Sequence, residues 1–578
     1  MSFPRFRGCR SIAILGALAA VCGGLIARPV SVSHDAVSPP PSTTGRYQLA
    51  PQGRASLQAY VRGGELPALR WPRFRKFQAP AKKFYDSFGS TLPWIGEDGN
   101  PTSQAVSMIR LLEDAESKGL RAEDYDHSRW DARLTELSHG PASENDLIQF
   151  DLALTVSAMR YLSDVHYGQI DPRRIAFELG FRRKKLDLAG FLQSEIVSSR
   201  DVCGAIEKIE PLSPAYRYTL HALKTYRDLA RRDDGEHLPV LRKPVNPGDA
   251  YAGLPRLTRL LTLLGDLPSA AEKRGQELAY EGALVNAVKH FQARHGLEAD
   301  GRLGWRTLQE MNVPLSRRVA QLESTLERWR WVTGELAPPY LVVNIPEFAL
   351  RAFNEDYQKA LSMKVVVGKA YRHETPTFLS MLSTVIFRPY WNVPAEIQVQ
   401  ELLPDIEKKP TYLTDNDYEV VDSSGNIVTD GPASDETIEG LRTGNLSIRQ
   451  RPGLKNALGL IKFEFPNPFD VYMHGTPATA LFSRSRRDFS HGCIRVEDPV
   501  GLTAWALRET PGWDVEHIRA AMDGEETVRV NLKKPIPVLI AYNTAIATEE
   551  GEIHFFKDIY GYDADLESAL ARSTPDSR

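Results

Sequence analysis

Cysteine is scarce. The chain holds four in 578 residues, Cys9, Cys22, Cys203 and Cys493, and the first two lie in or just before an apolar N-terminal run. At most one bridge, Cys203–Cys493, remains for the body of the protein, and only an oxidising compartment would permit it. An excess of one charge is also missing. Lysine and arginine number 71 against 74 aspartates and glutamates, a net charge of −3, which excludes a globally basic nucleic-acid binder. No acidic residue occurs before Asp35. Nothing in the pattern reads as collagen, coiled coil or a polytopic membrane protein. What is present is ordinary folded-protein composition, 42% hydrophobic and 25% charged, so wholesale disorder is excluded. At roughly 100–200 residues per domain the length allows about three or four domains.

Ser11 to Ala27 carries no charge, and Arg5, Arg7 and Arg10 precede it. A basic flank followed by an apolar stretch reads as a secretory signal or an uncleaved anchor, over 1–28. Its flank predicts a cytoplasmic N-terminus. Cleavage after Ala27 and retention in the membrane both fit, and membrane contact is expected only through this segment. A Pro/Ser-rich stretch, Pro29 to Thr44, follows and reads as a flexible tether, with a linker running over 29–75.

Residues 76–250 read as a helical domain. Val106, Ile109, Leu112 and Ala115 recur at helical spacing, as do Ile148, Leu152, Val156, Met159 and Leu162. Lys184 to Glu195 and Ala215 to Arg232 repeat the pattern. A second helical unit, 251–334, has Leu284, Ala287, Val288 and Phe291 on one helix face, a turn at Asp300-Gly301, and a further helix over Pro314 to Trp331. After Pro338-Pro339 the period changes to two, and 335–547 reads as a β-rich domain. Strands are expected at Tyr340–Asn344, Phe348–Phe353, Leu361–Val367, Ser383–Arg388, Gly459–Phe465, Phe469–Met473, Thr527–Leu532 and Val538–Ala547. An insertion at about 395–455 has mixed signals, and such loops in β domains often serve as lids. A C-terminal tail covers 548–578. The fold class is therefore multidomain α+β.

The chemistry concentrates in Tyr472-Met-His-Gly-Thr-Pro477 and Ser490-His-Gly-Cys-Ile-Arg495-Val-Glu497. A cysteine nucleophile needs a thiolate, and an isolated thiol titrates near about 8.5. A neighbouring imidazole can take that proton. His474 ends an expected strand and Cys493 follows 19 residues later, so the chain can return to the same edge. His491 lies two residues from Cys493 and shares its face in an extended segment. Gly492 permits close backbone approach, and successive N–H groups there can form an oxyanion site. Arg495 can hold a carboxylate bidentately. Two other readings stand beside catalysis. One is a zinc site in which Asp488 or Glu497 joins the Cys/His/His set. The other is a buried cysteine with surface histidines.

His474-Gly475 followed by Ser490-His491-Gly492-Cys493-Ile494-Arg495 resembles the L,D-transpeptidase (YkuD-type) signature. Arg495, where that family commonly has Asn, resembles its larger periplasmic (YcbB-like) branch. So do Tyr390-Trp391-Asn392-Val393-Pro394, the PVLIAYNTA segment at 537–545 and the FFKDIYGYD segment at 555–563. Phe291-Gln292 and Asp300-Gly301 resemble a helical peptidoglycan-binding module, and the N-terminal helical region resembles that branch's scaffold domain. Residues 395–455 match its active-site capping insertion in position. The resemblance implies a periplasmic enzyme acting on peptidoglycan stem peptides through a Cys493 thioester and forming 3→3 cross-links. His474 would be the base, oriented by the carbonyl of Gly475. His491, Gly492 and Arg495 would shape the pocket and position substrate, while Tyr472 and Trp391 would line the pocket or belong to the core. No metal or organic cofactor is implied, and carbapenem-type inhibitors would acylate the same cysteine. A carboxypeptidase, a lipoprotein-anchoring enzyme and a non-catalytic wall-binding protein remain open alternatives.

Overall fold

The structure is a computed structural model that describes residues 45–138, 142–175, 177, 185–268, 280–332 and 336–575. The apolar leader, the first part of the linker and the start of the helix expected at Lys184 lie outside the described residues. No described helix is long and apolar enough to cross a membrane.

The N-terminal unit is built around helix α1 (Glu144–Tyr167). Ser143 caps it, accepting the Asp146 N–H on Oγ while the Asp146 carboxylate accepts the Ser143 N–H. From Leu147 to His166 nearly every side chain is buried. Such a helix is wrapped on all sides rather than laid on a surface. Asp151 is buried with it. Its carboxylate accepts the Trp94 N–H at 2.8 Å and the Tyr85 hydroxyl at 2.7 Å. Desolvation outweighs these bonds and raises its pKa to about 7.

Helix α2 (Pro214–Arg232) leads into the second unit, whose core gathers around α3 (Ala283–Arg294) and α4 (Trp305–Met311). Gln292 of α3 ties the turn that follows it. Its Nε2 donates to Asp300, Arg302 O and Thr307 at 3.0–3.1 Å, and its Oε1 accepts the Gly301 N–H at 2.8 Å. That explains why Phe291-Gln292 and Asp300-Gly301 occur as a set. Helix α5 (Leu315–Trp331) then braces three parts of the molecule. Leu322 and Leu326 pack with Tyr216 and Leu223 of α2 and with Leu539 and Ala541 of the sheet. Glu327 of α5 accepts the N–H groups of Gln169 at 2.5 Å and Ile170 at 2.8 Å.

Nine strands make the C-terminal sheet: β1 (Tyr340–Asn344), β2 (Ala349–Phe353), β3 (Lys359–Gly368), β4 (Phe378–Phe387), β5 (Ile461–Glu464), β6 (Met473–His474), β7 (Asp488–Ser490), β8 (Ile494–Val496) and β9 (Val528–Ala541). Their order is β7-β3-β8-β6-β5-β4-β9-β1-β2, and β2 pairs back onto β3, which curls the sheet into a barrel. Val365, Val385, Phe463, Met473, Ile494 and Val538 fill its interior. The two strands expected at Thr527–Leu532 and Val538–Ala547 are instead one 14-residue strand, β9, and a separate short strand, Ala545–Ala547. Pairing with β4 continues on both sides of a register irregularity between Asn531 and Ile536, across Lys533-Lys534-Pro535. The strand expected at Phe469–Met473 shrinks to Met473–His474, because Asn467 holds residues 469–471 in a loop through its Oδ1.

The insertion is more ordered than its composition suggests. Residues 391–392, 418–421, 427–429 and 447–450 form a four-stranded sheet. Helical segments from Ala395 to Lys408 cover it, and Leu402, Ile406, Leu413, Val420, Leu441 and Ile448 form a separate core.

Asp151 gives a sign-definite pH effect. The folded state keeps its proton up to about pH 7, whereas the unfolded state releases it near about pH 4. The contribution to stability is thus fully present below the unfolded value and is lost as pH rises through about 7, at no more than ~1.4 kcal/mol per pH unit. Amide exchange across Glu144–Tyr167 in the full chain is expected to slow as pH falls from 7 to 5, after correction for intrinsic rates. Asp151→Asn is expected to flatten that dependence.

Candidate active site

Strands β6 and β8 run parallel, with Met473 opposite Ile494 and His474 opposite Arg495. Side chains alternate across a strand. Met473 and Ile494 are fully buried in the barrel, so Tyr472, His474, Cys493 and Arg495 share the outer face. Lys462 of β5 lies opposite His474 and joins them.

The turn before Cys493 is held by its own side chains. Ser490 Oγ donates to the Cys493 carbonyl at 2.5 Å and accepts the Gly492 N–H at 3.2 Å. That N–H, one of the oxyanion donors expected from the sequence, is therefore already engaged. Gly492 has φ 115°, a conformation that side chains rarely adopt. Its carbonyl accepts the Thr375 hydroxyl at 2.7 Å, and Thr375 Oγ1 accepts the Gly368 N–H at 2.9 Å. Tyr560 closes the bracket. Its hydroxyl donates to the Gly368 carbonyl at 2.6 Å and accepts the Thr375 N–H at 3.2 Å.

His474 is buried, with Nδ1 at 2.6 Å from the Gly475 carbonyl. The Leu458 carbonyl is a second partner. Gly459, at φ 64°, allows that approach, since a Cβ there would lie 2.7 Å from the Thr476 nitrogen. Desolvation and the nearby Arg495 charge lower the imidazole pKa to about 3 against the pull of both carbonyls. Burial likewise raises the Cys493 thiol above its ordinary value. The resting pair is thus a neutral thiol and a neutral imidazole, where the sequence suggested a sulfur held ionised by the ring.

The groups that favour the thiolate are others. Tyr472 supplies hydrogen bonds to the sulfur from its backbone and its phenol, and Lys462 and Arg495 add positive charge. The phenol is also hydrogen-bonded to Trp391 of the insertion. Lys462 Nζ sits 4.2 Å from the centre of the Tyr472 ring and pairs with Glu464 at 2.9 Å. Among the described residues no hydrogen bond joins His474 to the sulfur. The sulfur also donates to the Asp470 carbonyl at 3.8 Å.

His491 turns the other way. Its Nε2 meets Glu401 of the insertion at 2.6 Å, and its ring packs edge-on to His373 at 4.7 Å. The carboxylates weighed as metal ligands are committed elsewhere. Asp488 takes two bonds from Arg486 at 2.6 Å, and Glu497 accepts the Lys364 N–H at 3.0 Å. No cluster of three or more His, Cys, Asp or Glu that could hold a metal occurs among the described residues. No disulfide joins Cys203 to Cys493. Arg495 Nε is buried without a hydrogen-bond partner among the described residues, and desolvation lowers the guanidinium pKa against the attraction of Cys493.

Sequence reasoning passed over Lys462, Glu401, Thr375 and Tyr560. Lys462 carried a usable signal, being the outward residue between Ile461 and Phe463 on an expected strand. Tyr560 lies in the quoted FFKDIYGYD segment. Thr375 and Glu401 act through contacts 117 and 90 residues away, which no local pattern reveals.

A barrel that places a histidine and a cysteine on one outer face, under an insertion, defines a cysteine-bearing catalytic domain. Comparison with known families makes the class specific. An L,D-transpeptidase catalytic domain matches residues 338–517, a "Scaffold domain" matches 79–223, and a "Putative peptidoglycan binding domain" matches 257–311. The chain thus carries a YkuD L,D-transpeptidase catalytic domain together with scaffold and peptidoglycan-binding domains. A protein of Haemophilus influenzae named "Putative L,D-transpeptidase" is 34% identical over 229 residues, 40% of this chain. The match spans 45% of that relative's length.

The neutral resting thiol has a direct readout. Alkylation of Cys493 by iodoacetamide, followed by peptide mass analysis, is expected to rise about tenfold per pH unit from pH 7 to 9 with no plateau near neutrality. Tyr472→Phe removes one donor and shifts the curve to higher pH. A plateau below pH 7 would show a preformed thiolate instead.

Proposed function

We propose that this chain is a cysteine L,D-transpeptidase that forms 3→3 peptidoglycan cross-links. The observation that carries the reading is the shared outer face of His474, Cys493 and Arg495 at the β6–β8 pair, within a domain of the L,D-transpeptidase family. Cys493 Sγ attacks the carbonyl of the third stem residue, meso-diaminopimelate, of a tetrapeptide stem. Its proton passes to His474 as the carbon–sulfur bond forms. The tetrahedral intermediate collapses, the terminal D-Ala leaves with a proton from His474, and a thioester remains. The side-chain amine of a second stem's diaminopimelate then attacks the thioester. His474 takes the amine proton and passes it to the sulfur as the carbon–sulfur bond breaks, which restores the Cys493 thiol.

The electrostatics suit a coupled rather than a stepwise proton transfer. Neither partner is charged at rest, so charge develops only along the reaction, where Tyr472, Lys462 and Arg495 stabilise it. The Arg495 guanidinium places positive charge beside the developing oxyanion. The thioester conserves the acyl activation, so no metal or organic cofactor and no nucleotide is needed. This suits work outside the cytoplasm, in the periplasm, on the cell wall. The same chemistry makes Cys493 a target for carbapenem-type acylation.

Water competes with the amine for the thioester. The insertion, tied to the active site by Trp391–Tyr472 and Glu401–His491, limits that reaction by excluding solvent. Its loss would turn the enzyme toward carboxypeptidase behaviour.

Purified protein incubated with tetrapeptide muropeptides is expected to show an acyl adduct on Cys493 by mass spectrometry and a cross-linked dimer among the products. Cys493→Ala forms neither, and Cys493→Ser is far slower because the same imidazole deprotonates an alcohol poorly. His474→Ala is expected to lose about 10²–10⁴-fold in acylation. Turnover by Cys493→Ala equal to wild type would remove the assigned nucleophile. Tripeptide as the sole product would establish hydrolysis. Glu401→Ala is expected to raise the ratio of tripeptide to dimer. An unchanged ratio would refute the shielding role.

A further inference from the structure

Of the nine tryptophans only Trp305, the first residue of α4, is exposed, with 68% of its surface open. An indole left in water at the rim of a cleft invites a ligand. The cleft beside it has a volume of about 490 Å³, within the range of ligand sites. It lies between the α3–α4 unit and the barrel. Leu297, Arg306 and Gln309 line one wall, and Phe348, Arg486 and Lys557 line the other. A second hollow of about 290 Å³ lies on the far side and shares Leu297, Trp305, Arg306 and Ser485. The indole therefore lines both hollows, which together make up the groove.

The charges in the main cleft are unevenly committed. Its carboxylates are taken, Glu310 by Arg318 and Glu347 by Arg351. Arg486 is held by Asp488. Arg306 and Lys557 form no ion pair among the described residues, and Arg306 instead braces the indole at 5.3 Å. The groove thus offers an aromatic face, an amide side chain and two uncommitted cations.

We infer that this groove binds the glycan strand of peptidoglycan, with a sugar ring on Trp305. A pyranose has an apolar C–H face whose slightly positive hydrogens meet the electron-rich face of an indole. Its acetamide groups suit Gln309, and the carboxylates of attached stem peptides suit Arg306 and Lys557. The inference rests on the proposed function for the identity of the polymer, and it places a contact outside the Cys493 site. The groove borders the 475–492 segment that leads into Cys493, since Ser485 and Arg486 form part of its wall. A strand held there is anchored to both the α3–α4 unit and the catalytic domain.

The test is binding, measured by calorimetry in full-length Cys493→Ala protein so that turnover does not intervene. The probes are peptide-free glycan strands and isolated tetrapeptide stems. Peptide-free strands are expected to bind. Adding Trp305→Ala is expected to weaken them about tenfold or more, while Trp305→Phe retains most of the affinity. Melting curves report whether each variant is folded. A double Arg306→Ala, Lys557→Ala change is expected to weaken peptide-bearing strands more than bare ones. Equal affinity of Trp305→Ala, or no binding of peptide-free strands, would overturn the groove assignment. Failure of wild-type protein to become acylated by stems would instead sink the proposed function and leave this binding result as it stands.

Discussion

Two very short strands have to run side by side for any of this chemistry to exist. Met473–His474 and Ile494–Val496 pair in parallel, and their register puts His474 beside Arg495 and Cys493 beside Tyr472. A slip of one residue would turn His474 and Cys493 into the barrel and Met473 and Ile494 out of it. The apolar pair fully buried in the core therefore sets the register of the polar pair outside. Most of the remaining architecture protects that register. The Ser490 and Thr375 bonds shape the turn before Cys493, and Tyr560 holds Thr375 from the far end of the chain. Asn456, whose Oδ1 accepts the Leu458 N–H, places the Leu458 carbonyl against the imidazole.

The same burial that fixes the geometry sets the electrostatics. Desolvation penalises both charged forms, the thiolate and the imidazolium, so it works against an ion pair at rest. Opposing it are one phenol, one backbone N–H and two cations around the sulfur, and two carbonyls around the ring. A reactive cysteine with a low pKa would be vulnerable in an oxidising compartment. A thiol that ionises only as substrate arrives avoids that exposure. In the proposed reaction, the donors around the sulfur would act by stabilising charge as it forms, where preorganised donors have most effect.

Much of the site was legible because it is local. The spacing of His474 and Cys493, the glycine before the cysteine and the alternation around β1 all follow from short-range rules. Helix α1 and helix α5 were legible from periodicity. What escaped notice depends on long-range contact. Residues 395–455 gave mixed signals because their strands are only three or four residues long and their apolar positions meet only after folding. Strand β9 looked like two strands because Lys533-Lys534-Pro535 breaks the pattern locally, while pairing with β4 and β1 overrides the break. His491 looked like a companion of the sulfur because spacing reports which face a side chain shares but not which partner it finds.

The loop between His474 and Cys493 brings these strands of argument together. At its start the chain leaves the buried imidazole. In the middle, Arg487 fastens it to the barrel through the carbonyls of Val365 and Phe348, and Arg486 is locked to Asp488. At its end His491 reaches the insertion through Glu401. One segment of 18 residues between His474 and Cys493 therefore touches the groove beside Trp305 on one side and the insertion on the other. Arg487 bonds to Val365 within β3 and to Phe348 in the turn that leads into β2, so the barrel resists displacement of the loop. Such a loop transmits position rather than motion. It holds Cys493 in a fixed place relative to both the groove beside Trp305 and the insertion.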